Sequence, residues 1–176
     1  MTNLSHIPPI KDQLGRALRD LRISVMDRCN FRCVYCMPED KFHPGFKFLP
    51  SKKRLSFDEM LRLVRIFTKL GVTKIRITGG EPLLRVNLTD FIGDLSTIDN
   101  IKDIALTTNG VLLKKYAYEL KASGLDRITV SLDSIDSNEF KLMTGGRGDL
   151  DRVLSGIDEA QRAGFQRIKI NAVIKK

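Results

Sequence analysis

Tryptophan is absent from this 176-residue chain, and cysteine occurs three times. An odd count cannot be fully paired, so a disulfide framework leaves one thiol over. No apolar run approaches the roughly 20 residues needed to cross a bilayer, and no membrane partner is expected. The first residues carry no hydrophobic segment of the secretory type. Unpaired cysteines without an export signal lead to the expectation of a cytoplasmic protein. A basic block is missing too. The net charge is +9, which suggests an anionic partner. Yet Lys and Arg are scattered and Trp is absent, so nucleic acid is not the expected partner. A polyanionic small molecule such as a nucleoside triphosphate fits as well, and part of the excess is solvated surface. Hydrophobic residues make up 42% and charged residues 29%, an ordinary globular composition in a chain long enough for one domain with a core.

All three cysteines fall in Cys29-Asn30-Phe31-Arg32-Cys33-Val34-Tyr35-Cys36. A loop of this size can turn three thiolates toward one point, which means a metal or a metal cluster. A four-iron cluster held by three protein thiolates keeps one iron open for chemistry. Two plainer readings stand beside it. The cysteines and His43 could hold a structural zinc, although zinc ribbons usually supply paired knuckles. The thiols could also be buried, which Arg28, Asn30 and Arg32 around them argue against.

Residues 1–20 are polar, carry Pro8-Pro9, and read as a tail with a short ordered piece near Leu14 to Leu18; residues 21–176 read as the core domain. Arg22 to Val25 alternates as a short strand. Ser56 and Glu59 form a capping box before a stripe of Met60, Leu63, Val64, Phe67 and Leu70, which Gly71 stops. A strand over Val72 to Thr78 is followed by a Gly79-Gly80 turn. A helix with Asn87 as cap follows, then a strand over Ile101 to Thr107. The third helix carries Leu112, Leu113, Tyr116 and Leu120. A strand covers Arg127 to Leu132, and Asp136 caps a short helix. Gly145 to Gly148 reads as a flexible loop. A helix ending at Gly164 precedes a last strand over Ile168 to Ile174. The segments beginning at Gly71, Gly124 and Gly164 resemble one another, each a helix stop, a link and a strand. Such repeated units build a parallel sheet, an α/β fold compatible with an open or partial barrel.

Alternate strand residues face opposite sides. Ile75, Ile77, Ile128, Val130, Ile168 and Ile170 share the side that packs on helices. Arg22, Ser24, Arg76, Thr78, Thr129, Ser131, Lys169 and Asn171 share the other. Cations on the inner side would be costly without anions, so that side is expected to hold a charged ligand. The strand ends at Gly80, Thr107 to Asn109 and Ser131 to Asp133 line up with the cysteine loop, at the C-terminal edge where α/β folds carry chemistry. Gly79-Gly80 would let a ligand approach bare backbone.

The cysteine spacing is that of the radical S-adenosylmethionine enzymes, and Gly79-Gly80-Glu81-Pro82 matches their Gly-Gly-Glu-Pro motif. The flanks, Leu21 to Cys29 and Cys36-Met37-Pro38-Glu39, resemble the GTP 3′,8-cyclases of molybdenum cofactor biosynthesis, and the likeness runs from about Leu21 to the last residue. The resemblance implies a partial TIM-like (βα) barrel of the radical S-adenosylmethionine type. It implies one site-differentiated 4Fe-4S cluster on Cys29, Cys33 and Cys36, whose open iron takes S-adenosylmethionine. Cleavage of that cofactor to methionine and a 5′-deoxyadenosyl radical would lead to hydrogen abstraction from the ribose of GTP. Closure onto the guanine would then give 3′,8-cyclo-7,8-dihydro-GTP. Tyr35, Gly80 and Ser131 match cofactor-contacting positions; Arg22, Arg76, Thr107 and Lys169 match GTP-contacting ones. A flavodoxin- or ferredoxin-type electron donor is implied, and a homodimer is allowed. Met26 stands where the family usually has Thr. The family's second half, with three further cysteines for a second cluster and a Gly-Gly tail, has no counterpart here. The barrel is therefore expected to be incomplete at the C-terminus, truncated after the fifth strand. An alternative is a fragment that binds cluster and cofactor without cyclising GTP.

Overall fold

The computed structural model describes residues 10–174. Five strands, β1 (Asp20–Ser24), β2 (Lys74–Thr78), β3 (Asp103–Thr108), β4 (Arg127–Ser131) and β5 (Ile168–Asn171), form one sheet in sequential order. Every neighbouring pair is parallel. The helices are α1 (Phe57–Lys69), α2 (Leu88–Ser96), α3 (Leu113–Ala122), α4 (Ser137–Met143) and α5 (Leu150–Arg162). Crossovers between parallel strands are right-handed. When each one advances by a single strand in the same direction, all the helices land on one face. The other face stays bare, and the sheet remains an arc that is not closed into a barrel. This is the α/β partial barrel expected from the sequence.

The two faces differ as the strand alternation requires. Ile75, Ile77, Ile104, Leu106, Ile128 and Val130 are buried with Phe91, Leu95, Leu113, Leu120 and Val153 of the helices. Each such side chain contributes roughly 1.5–3 kcal/mol by leaving water. Between them, Arg22, Arg76 and Lys169 are exposed, and Thr107, Thr129 and Ser131 are half-buried.

The capping box of α1 is present: Ser56 Oγ accepts from Glu59 N at 3.1 Å, and Ser56 N donates to Glu59 Oε2 at 2.7 Å. Asp136 caps α4 through Asn138 N and Glu139 N. Asn87 does not cap α2. Its backbone is left-handed, with φ 61°, and its side chain makes no cap bond. Leu63 is exposed rather than core, because α1 packs at the β1 edge, leaving an apolar groove lined by Leu21, Ile23, Leu63 and Phe67.

β2 starts later than expected, since Thr73 N and Lys74 N both bond the carbonyl of Arg19. β5 ends at Asn171, and Val173 N instead donates to Asp133 Oδ1 at 2.9 Å. Near the N-terminus the ordered piece is a turn closed by Asp12 Oδ1, which accepts from Leu14 N and Arg16 N; Pro8-Pro9 lies outside the described residues. Among the described residues, no helix is long and apolar enough to cross a membrane.

Candidate active site

The cysteine loop leaves β1 and is held on both flanks by backbone. On one flank Val25 N donates to Thr78 O at 2.9 Å, Gly80 N to Met26 O at 2.6 Å, and Glu81 N to Arg28 O at 2.8 Å. A β-carbon on Gly79 would lie 2.5 Å from Met26 O, and one on Gly80 would overlap Arg28 O. The glycine pair is therefore demanded by the chain's own loop, which lies against the side where a β-carbon would point. On the other flank Arg32 N donates to Thr144 O and Val34 N to Met143 O, both at 3.1 Å. The segment from Gly145 to Gly148 is largely exposed but tied down at two points. Gly148 N donates to Thr144 Oγ1 at 2.9 Å, and Arg147 Nη2 pairs with Glu39 Oε2 at 2.8 Å.

Arg32 draws the loop together from within. The residue is 8% exposed. Nη1 donates to Cys29 O at 2.9 Å and Phe31 O at 2.8 Å, and Nε to Phe42 O at 3.0 Å. Three carbonyls that would otherwise point into a tight loop are thus satisfied by one cation. Tyr35 Oη donates to Asp133 Oδ2 at 2.8 Å. With Val173 on its other oxygen, Asp133 ties the cysteine loop to the ends of β4 and β5.

The three thiols are free; Cys29 and Cys33 are half-buried and Cys36 is exposed. Burial pushes the Cys29 thiol up, helped by the charges of Glu81 and Cys36. Burial, with Cys29, Asp133 and Cys36 adding to it, pushes Cys33 up to about 12. A bound cation reverses this balance and deprotonates its thiol ligands. The set is soft, and soft thiolates suit an iron-sulfur cluster. Among the described residues, no group of three His, Cys, Asp or Glu side chains closes on a single metal ion. His43 Nδ1 instead accepts from Gly45 N at 3.2 Å. The fourth ligand of the zinc alternative is thus engaged with its own turn. A four-iron cluster is wider than one ion and asks its thiols to stand further apart.

Behind the loop lies Glu81, with none of its surface exposed. Its Oε1 accepts from Leu83 N at 3.1 Å and Thr108 Oγ1 at 2.7 Å, and its Oε2 from Asn109 N at 2.8 Å. Burial pushes its carboxyl above the usual range despite these donors. This knot fixes the end of β3 against the end of β2.

The register places the remaining predicted residues. Arg22 and Arg76 are direct partners on β1 and β2. Thr107 partners Thr129, which partners Lys169. Ser131 partners Asn171 at the end of β4. Two rows therefore cross the bare face, with Arg22 and Arg76 at one side and Thr107 and Lys169 further along. Arg127 ends the row that runs from Arg76 through Ala105, but it is spent on Asp103, with Nε donating to Oδ1 at 2.6 Å. Among the described residues Arg22, Arg76 and Lys169 form no ion pair. Arg32, Asn109 and Asp133 were not assigned roles from sequence. The signal available was their place beside the cysteines or at strand ends.

A family model described as the radical SAM superfamily matches residues 23–175. The chain belongs to the radical SAM superfamily. Membership implies a 4Fe-4S cluster and S-adenosylmethionine as cofactors. The chain is 54% identical over 168 residues to a GTP 3′,8-cyclase of Xanthomonas campestris pv. campestris (strain 8004), covering 96% of this chain and 49% of that protein. A GTP 3′,8-cyclase of Acidothermus cellulolyticus is 53% identical, with 96% and 46% covered. One of Staphylococcus haemolyticus is 51% identical over 170 residues, with 97% and 50% covered. The chain thus spans about half the length of the curated relatives it matches. Among solved structures, Streptococcus suis SuiB bound to S-adenosylmethionine superposes with a TM-score of 0.67 at 25% identity, covering 89% of this chain and 33% of that one. HydG, a maturase of the [FeFe]-hydrogenase, gives 0.66 at 19% identity, with 88% and 34% covered, a likeness of fold.

Proposed function

We propose that this radical SAM chain is the cofactor- and GTP-binding part of a GTP 3′,8-cyclase, acting in the first step of molybdenum cofactor biosynthesis. The observation that carries the substrate is the 54% identity to a cyclase over 96% of the chain. Cys29, Cys33 and Cys36 hold the cluster. When bound, the cluster and S-adenosylmethionine supply the one-electron chemistry that GTP cyclisation requires. The chain's own residues bind and orient. Tyr35, Gly80 and Ser131 lie on the loop and strand ends around the cofactor. Arg22, Arg76 and Lys169 offer cationic donors to the triphosphate from the bare face, the arginines in the bidentate manner that phosphate favours, and Thr107 adds a hydroxyl. A flavodoxin- or ferredoxin-type protein delivers the electron, in the cytoplasm.

The test is anaerobic iron and sulfide analysis, followed by assay of 5′-deoxyadenosine and of GTP. About four irons per chain, with colour bleached by reductant, support the cluster. GTP-dependent formation of a cyclised product supports the cyclase. Cofactor cleavage that ignores GTP would limit the chain to the cofactor half of the reading. One zinc and no colour would overturn it.

A further inference from the structure

Asn109 follows β3 and is 8% exposed. All of its hydrogen-bonding groups inside the site are committed. Its backbone N–H is held by the buried Glu81 carboxylate at 2.8 Å. Its Oδ1 accepts from Val111 N at 3.2 Å. That bond settles which end of the amide is which, so the NH2 group must face the cysteine loop. There Nδ2 donates to Asn30 Oδ1 at 2.8 Å and to Cys29 Sγ at 3.8 Å. The backbone N–H of Phe31 reaches the same sulfur at 3.4 Å. Cys29 is thus the thiol that receives a donor from outside its own loop, across 80 residues of sequence.

We infer that Asn109 is a positioning residue that donates a hydrogen bond to the Cys29 thiolate and thereby raises the reduction potential of the cluster. The inference rests on the cluster assignment given above. Reduction adds negative charge to the cluster and its sulfurs. A donor aimed at a ligand sulfur stabilises the reduced form more than the oxidised one, and hydrogen bonds to sulfur are among the determinants of cluster potential. Glu81 makes the aim rigid: its carboxylate holds the Asn109 backbone from behind while Val111 holds the side-chain oxygen.

The experiment compares the reconstituted chain with Asn109→Leu and Asn109→Asp in anaerobic redox titrations followed by electron paramagnetic resonance. S-adenosylmethionine is left out, so no turnover is involved. Leu removes the donor at similar size. Asp keeps the acceptor for Val111 while replacing the donor with a negative oxygen. With iron per chain retained, the potential is expected to fall in Asn109→Leu and to fall further in Asn109→Asp. Unchanged potentials in loaded variants would overturn the inference and leave the cluster assignment standing. Loss of iron from both variants, with circular dichroism unchanged, would show that Asn109 merely holds the loop, and would overturn it as well. An unsubstituted chain that takes up no iron would overturn the cluster assignment, and this inference with it.

Discussion

A β-carbon on Gly145 would overlap the carbonyl oxygen of Arg32 and sit 2.9 Å from the Arg32 Cβ. Gly145 also has φ 65°, a left-handed backbone that costs an L-residue about 1–2 kcal/mol. Gly146 has φ 76° but nothing within 4 Å of the same position. Gly145→Ala should therefore pay the conformational cost and a further overpacking cost of about 1–3 kcal/mol, whereas Gly146→Ala pays the first alone. Because the clash falls on the backbone between Cys29 and Cys33, Gly145→Ala should also lose iron. Denaturant unfolding and iron analysis of the two variants check this. Equal behaviour would mean that the helix α4 end does not brace the cysteine loop.

Arg22 and Arg76 stand side by side on parallel strands. Both are exposed, and like charges so placed repel one another. In the chain without ligand, Arg76→Ala should change stability by no more than about 0.5 kcal/mol, or raise it slightly. With GTP present, the unsubstituted chain should gain thermal stability by mass action, and Arg76→Ala should gain less. The cluster should load in both. If Arg76→Ala unfolds the chain, the arginine is structural and the substrate assignment is wrong at that position.

Cys33→Ser should abolish iron uptake, since two thiols cannot anchor the cluster that three were placed to hold. His43→Ala should leave the iron content unchanged, because His43 is engaged with its own turn through Gly45. Metal analysis of both variants checks the pair. Metal lost with His43 would bring back the single-ion site.

The fold was legible because its determinants are local. The alternation of Ile75 and Ile77 with Arg76 and Thr78 gives the strand faces, and the repeated Gly stops give the spacing of a parallel sheet. The cysteine spacing was legible for the same reason. What escaped depends on tertiary contact. In sequence Arg32 argues against buried thiols, yet it is itself buried and donates to three carbonyls. Gly79 and Gly80 are explained in sequence by a ligand's approach alone, yet the loop's own backbone also demands them, lying where a β-carbon would point. Asn87 has the right residue type for a cap, but its backbone takes a conformation that points the side chain away. No sequence period encodes the reach of Asn109 to Cys29, which exists only once β3 ends beside the loop.

Glu81 gives the chain a pH dependence whose sign can be stated. Its carboxyl is raised, burial being the first cause. Between the ordinary glutamate value of about 4.3 and the raised value, the folded chain holds a proton that the unfolded chain has released. The stability linked to that proton is fully present below the ordinary value and is lost as pH rises through the raised one. Glu81→Gln removes this titration. Gln keeps one acceptor oxygen where Glu81 uses two, Oε1 for Leu83 and Thr108 and Oε2 for Asn109. One buried donor is then left facing an NH2 group, at a cost of about 1–3 kcal/mol. The gap between the two proteins should be widest at acid pH and should narrow as pH rises. Urea unfolding of the metal-free chain across that range measures it. A gap that stays constant would mean that the three donors offset burial completely, so that Glu81 ionises in the folded chain as it does in the unfolded one.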